Sequence, residues 1–291
     1  MGMRIRTNVS SLTAQRQTSL NNKAQAKSLE RLSSGYRINK SADDAAGLAV
    51  SEGLRAKVRG LNVARRNAND GVSMVQIAEG AMNEMSNMLI RLRELTVQSA
   101  SDTIGTKERG YLNREYNQLV DEMDRVINVT EFNGRKLFQS EEETYVIQVG
   151  TNYSAPEENE HTITIDLQGL NFNTQSEGIE LGKGAIIGPT EEEDAPSRDA
   201  IAGRISNITN ALGRLASERA TLGSVQSRLD STINNLGTSI EGMQAAKSRI
   251  RDVDFAAESS RLSQSRVMLA SSTSVLSQAN AVPEMALQLL R

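Results

Sequence analysis

Ile201, Ile208, Leu215, Leu222, Leu229, Leu236, Met243 and Ile250 recur every seven residues, inside a stretch from 197 to 282 that contains no proline. A heptad sustained over this length is an apolar stripe along a helix, and it is buried only if other helices lie against it. A second row, Ile205, Leu212, Ile233 and Ile240, completes the seam. Arg219 and Gln226 interrupt it, and are read as fixing register or facing another copy of the chain.

The first half supplies the helical partners. The four prolines are Pro156, Pro189, Pro196 and Pro283, so residues 1–155 also lack the strongest helix breaker. There Leu61, Ala64, Ala68, Gly71, Val75, Ala78, Met82, Met85, Leu89 and Leu92 alternate by three and four, and the small residues at the start let a neighbour approach closely. A turn is expected over 99–107, followed by a helix with Leu112, Tyr116, Leu119, Met123 and Val126 on one face. The simplest arrangement is an antiparallel bundle of about three helices.

Between the halves the period changes. Residues 144–149 (TYVIQV) are rich in β-formers and 162–167 (TITIDL) alternate with period two, which predicts a β-hairpin. Beyond Gly178 the chain is rich in Gly, Glu and Pro and reads as a connecting loop. Residues 1–40 carry eight basic residues and one acid, Glu30, whereas 141–199 carry fourteen acids and two bases; the acidic stretch is read as a solvated face.

Aromatic residues are only 3% of the chain, which suits helices burying a narrow seam better than a thick globular core. With no cysteine there is no disulfide and no thiolate site. The net charge of -3 gives no general pull toward nucleic acid. No apolar run is long enough to span a membrane, and the start, with Arg4 and Arg6, lacks an apolar signal core. Arg6 also stands where N-myristoylation calls for Ser or Thr. His161 is the only histidine, so no multi-histidine metal site and no HExxH motif can form. Gly182-Lys183-Gly184 lacks Walker spacing, and Met82, Met85 and Met88 read as core filler. No catalytic residue, metal or cofactor is expected.

Both ends are amphipathic. Ile5, Val9, Leu12, Leu20, Leu29 and Leu32 mark the first, and Leu262, Leu269, Val275, Leu276, Val282, Met285, Leu287 and Leu290 the second. Their apolar side chains are sparse against the entropy of ordering so long a chain, so the ends are expected to gain order only when identical copies cover them.

Several ordered runs resemble those of bacterial flagellins. They include Glu30 to Asn39 (ERLSSGYRIN), Ala42 to Ala49 (ADDAAGLA), Arg66 to Gly71, Arg93 to Gln98, Glu131 to Gly134, Ile147 to Gly150, Ser248 to Asp254, Ser272 to Asn280, and the closing Leu289-Leu290-Arg291. The resemblance covers about 1–170 and 197–291. It implies a mainly α fold, a long coiled-coil bundle of the N- and C-terminal halves with a small β-hairpin in the middle. Residues 1–43 and 251–291 would form an inner terminal-helix domain, and 44–180 with 197–250 an outer helical-bundle domain with its hairpin at about 144–168. Residues 181–196 would be a short loop in place of larger relatives' variable domains.

The function implied is a secreted, extracellular subunit that polymerises with itself into the flagellar filament. The alternatives are a hook–filament junction protein and an exported helical adhesion or binding protein. Ile5, Leu12, Leu29, Leu32, Leu262, Leu269, Leu276, Leu287 and Leu290 are expected to carry the polymer's inner packing. Gly35, Asp43, Asp44 and Gly47 would shape the link between the domains, the aspartates capping the next helix. Export through a type III apparatus implies an export chaperone, a filament cap and hook–filament junction proteins as partners. Recognition by a vertebrate toll-like receptor falls, by motif position, on Arg91, Leu95 and Glu115, with Ile90 and Leu92 departing from the common pattern.

Overall fold

The computed structural model describes residues 7–138, 144–152, 160–166, 187–188 and 197–288, and for Arg198 and 282–288 the backbone only. Helices α1 (Val9–Ser34), α2 (Ala45–Ser99) and α3 (Thr106–Val129) are followed by strands β1 (Glu131–Phe132), β2 (Arg135–Lys136), β3 (Thr144–Gln148) and β4 (Thr162–Asp166), then α4 (Arg198–Arg251) and α5 (Phe255–Gln288). The fold is mainly α, with the antiparallel hairpin β3–β4 in the middle of the chain. The chain forms two compact units, Met1–Val58 with Glu241–Arg291, and Arg59–Ile240. The sequence-based divisions at 43/44 and 250/251 lie instead beside helix ends, since α2 begins at Ala45 and α4 stops at Arg251.

In the unit 59–240 the heptad reading of α2 holds residue by residue. Leu61, Ala64, Ala68, Val75, Ala78, Met82, Met85, Leu89 and Leu92 are all buried. Gly71 is buried as well, and a Cβ there would sit 3.4 Å from both Ile147 and Leu229, so hairpin and α4 close on α2 where its side chains are smallest. On α4 the row Ile201, Ile208, Leu215, Leu222, Leu229 and Leu236 is buried. Its companions are Ala211, Val225 and Ile240, while Leu212 and Ile233 are only partly covered. On α3 the most buried residues are Asn113, Tyr116, Val120, Met123 and Ile127. Leu112, Leu119 and Val126 border them. The buried face is wider than a two-stranded seam because α3 serves a bundle core and not a single partner.

The hairpin β3–β4 pairs Tyr145 with Ile165 and Ile147 with Ile163, turning these residues to one face over the core. The Tyr145 hydroxyl donates to the Lys136 carbonyl at 2.9 Å. The strands end at Gln148 and Asp166, inside the expected span, whose last residues, 167–168, lie outside the described ones. The loop 181–196 is likewise outside, apart from Ile187 and Gly188. A second hairpin, β1–β2, turns through Asn133 (φ 52°) and Gly134 (φ 77°). Both φ values are positive, the conformation that an Asn-Gly turn favours.

In the other unit α1 and α5 pair. α5 continues through Pro283, which cannot donate the helical bond to the Ala279 carbonyl. That carbonyl instead accepts a hydrogen bond from the Asn8 side-chain amide at 2.8 Å. The other end of the Asn8 side chain caps α1, accepting from the Ser11 N–H.

Candidate functional site

The most deeply covered positions of the α1–α5 pair are small or polar, with leucines half-buried beside them, and several large apolar residues are exposed. The covered residues of α1 are Ser11, Ala14 and Ser28, with Thr18, Asn21 and Gln25 half-buried between them, a three-and-four alternation of small and polar side chains. Facing them on α5 are buried Glu258 and Ser272, with Leu262, Leu269 and Leu276 half-buried. Hydrogen bonds cross the seam in antiparallel order. Ser11 Oγ donates to Asn280 Oδ1 at 2.7 Å, Asn21 Nδ2 to Ser272 Oγ at 3.2 Å, and Ser28 Oγ to Glu258 Oε1 at 2.7 Å. The buried Glu258 carboxylate is also within 3.7 Å of Arg31 and 3.2 Å of Arg261.

The apolar residues of α1 point the other way. Val9, Leu12, Leu20 and Leu29 are 62%, 56%, 52% and 44% exposed. On α5 Phe255, Val267, Met268 and Val275 are exposed too. The expected packing set therefore divides. Leu32, Leu262, Leu269 and Leu276 are half-buried, whereas Leu12 and Leu29 face outward. Ile5 and Leu290 lie outside the described residues, as does the side chain of Leu287. The polar ladder and Glu258 escaped the sequence reading, which followed large apolar residues only. The signal was present in the same heptad spacing of Ser11, Ala14, Thr18, Asn21, Gln25 and Ser28.

The four linker residues act in distinct ways. Gly35 closes α1 in the left-handed region (φ 72°), its N–H donating to the Arg31 carbonyl. Asp44 caps α2, accepting from the Gly47 N–H at 2.8 Å. Asp43 caps nothing. It accepts from the Lys27 ammonium at 2.7 Å and from the backbone N–H groups of Lys40 and Asn39, and these bonds, led by Lys27, hold its carboxyl down at about 2. A Cβ on Gly47 would collide with the Asp44 carboxylate and come within 2.8 Å of Ile38, which is buried beneath the linker.

Of the expected receptor contacts, Arg91 and Glu115 meet at the surface, the guanidinium donating twice to Glu115 Oε1 at 2.9 and 2.7 Å and once to Glu94. Leu95 is not with them: it is 0% exposed, inside the core of the helical bundle. His161 contributes through its backbone, its carbonyl accepting from Val149 and Gly150 N–H. Among the described residues no helix is long and apolar enough to cross a membrane.

A chain whose two ends form one helical pair, apolar on the outside, defines a class of helical subunits built to be covered by neighbours. The comparisons with known proteins name the class more closely. Residues 5–143 match the bacterial flagellin N-terminal helical region and 205–290 the bacterial flagellin C-terminal helical region. The chain is 39% identical to the flagellin of Halalkalibacterium halodurans over 289 residues, spanning 99% of this chain and all of that one. It is 37% identical to the flagellin of Bacillus subtilis and 36% identical to flagellin FlaB2 of Treponema pallidum, in each case over 99% of this chain and all of the relative. The chain belongs to the bacterial flagellin family, in a short form without a large variable domain. It is a structural subunit of the flagellar filament, and the junction-protein and adhesion readings are not favoured.

Proposed function

We propose that polymerisation is driven by the outward apolar rows of α1 and α5, each copy laying its rows against neighbouring copies. One observation carries this reading. The buried positions of α1 are Ser11, Ala14 and Ser28, so Val9, Leu12, Leu20 and Leu29 keep about half of their surface in water until another molecule covers it. Leu32, Leu262, Leu269 and Leu276 share the inner packing by holding the pair together. Contacts between unlike patches on two sides of a subunit generate an open helical polymer, which is the geometry a filament needs.

Replacing Leu12 and Leu29 together by Gln tests this. Both side chains are exposed, so the subunit keeps its helical content. The lost burial of the exposed halves of two leucines, about 1.5–3 kcal/mol per added copy, raises the concentration needed for elongation by about tenfold or more. Sedimentation of seeded polymers measures it, and an unchanged critical concentration sinks the proposal.

In this reading the filament is extracellular, and the chain reaches it with an export chaperone, a filament cap and junction proteins as partners. No catalytic activity belongs to it. A toll-like receptor would meet the Arg91–Glu115 pair, with Leu95 supporting α2 from beneath.

A further inference from the structure

The boundary between α4 and α5 contains neither of the strong helix breakers. From 243 to 282 the sequence contains neither Gly nor Pro, and only Asp252, Val253 and Asp254 separate the two helices. Uninterrupted, the helix would continue with Val253 N–H donating to the Arg249 carbonyl, Asp254 N–H to Ile250 and Phe255 N–H to Arg251. The segment after α1 takes up groups belonging to each of these three bonds. Val253 N–H donates to the Gly35 carbonyl at 3.0 Å. The Ile250 carbonyl accepts from the Arg37 guanidinium, Nη2 at 2.7 Å and Nε at 3.3 Å. The Arg251 carbonyl accepts from the Arg37 backbone N–H at 2.7 Å, alongside the bridge between Tyr36 and Asp252.

We infer that Arg37 is a positioning residue that stops α4, and that the α4–α5 joint has two states: broken while residues 35–37 are docked, and one continuous helix over 198–288 once they leave. Docking gives partners to three of the six groups that these bonds use, the Val253 N–H and the Ile250 and Arg251 carbonyls, and the other three, the Arg249 carbonyl and the Asp254 and Phe255 N–H groups, belong to exposed residues. The docked state has further ties. The Arg251 guanidinium lies 4.6 Å from the centre of the Tyr36 ring and 2.7 Å from Glu52. Lys27 holds Asp43, and Glu30 holds Lys40 at 2.8 Å, so the strap is fastened to α1 on its far side. Past the break, Asp254 restarts the helix by accepting from the Ala256 and Ala257 N–H groups. This cap has no use if the helix runs through. A long-range strap thus claims the last carbonyls of α4 where the sequence has no Gly or Pro, while Asp254 supplies the local start of α5, and any contact that competes for residues 35–37 lengthens α4 at the expense of the joint.

The test is solid-state NMR on filaments of the full-length chain with labelled valine, reading the backbone carbon shifts of Val253. In the wild type they are non-helical. In Arg37→Ala, and independently in Asp254→Ala, which removes a cap that only the broken state uses and changes no group of residues 35–37, the docked segment leaves and most copies move to helical values. Arg37→Lys, which keeps a side-chain donor for the Ile250 carbonyl where Arg37→Ala keeps only the backbone bond to Arg251, returns Val253 to the wild-type shifts. A general loosening of the strap would instead give broadened, non-helical signals. Helical shifts in the wild type, or non-helical shifts in both Ala variants, overturn the inference.

Discussion

At the scale of single residues, the three positions on α2 and α3 that resemble a receptor site have unlike duties. Leu95 is fully enclosed, and Leu95→Ala leaves a hole in the bundle core that costs about 2–5 kcal/mol. Arg91 is 47% exposed and its ion pairs are solvated, so Arg91→Ala leaves the melting temperature close to that of the wild type. Reporter-cell signalling and thermal melts measured together separate the roles. Under the proposed receptor reading, Arg91→Ala is expected to lower signalling without a melting shift, whereas any effect of Leu95→Ala travels with lost stability, and unchanged signalling in Arg91→Ala would dismiss the site. Tyr116 gives a second residue-scale signature. It is wholly enclosed, and burial pushes its hydroxyl from 10.0 up to about 12, against a small opposing influence of Arg204. Its folded-state value is raised, so its contribution to stability is complete below the unfolded value near 10 and is lost as pH climbs through about 12. The expected outcome is a fall in the wild-type unfolding midpoint across that window, and a shallower fall in Tyr116→Phe, followed by denaturant titration at each pH. Equal slopes in the two proteins would show that Tyr116 does not carry the alkaline transition.

At the scale of elements, legibility followed the kind of residue that made each contact. The seam of α2 and the main row of α4 were readable because Leu61 to Leu92 and Ile201 to Leu236 are apolar at a period that only a packed helix uses. The hairpin β3–β4 was readable from alternation in Thr162 to Asp166. The Asn-Gly turn of β1–β2 carried an equally strong signal, but strands of two residues are too short to show a period. The α1–α5 interface was not legible in the same way. Its register depends on Ser11, Asn21, Ser28, Glu258, Ser272 and Asn280, residues that read as solvent-facing until their partners are known. Polar side chains on a seam add little net energy when paired and cost a great deal when mispaired, so they select one register more than they strengthen it. The end of α4 was the least legible, because the groups that claim its last carbonyls come from Arg37, far away in sequence.

At the scale of the whole molecule, the two compact units differ in what holds them. The unit 59–240 has a contiguous core running from Ala68 through Tyr116 and Phe138 to Leu229, built from helices and hairpin together. Among the described side chains of α1 and α5 the buried ones are Ser11, Ala14, Ser28, Glu258 and Ser272, of which only Ala14 is apolar. Folding the pair therefore orders two long helices around few fully buried apolar side chains, and in the proposed reading the entropy of ordering is offset when neighbouring copies cover Val9, Leu12, Leu20, Leu29 and the exposed residues of α5. Limited proteolysis at low chain concentration reads this difference directly. Cleavage is expected first within residues 1–35 and 255–291, leaving a resistant fragment centred on 59–240, and the same sites become protected once the chain is assembled into filaments. Protection of the ends in the dispersed subunit equal to that of the bundle would mean that the polar ladder alone suffices to order them. Assembly would then bring copies together without completing their fold.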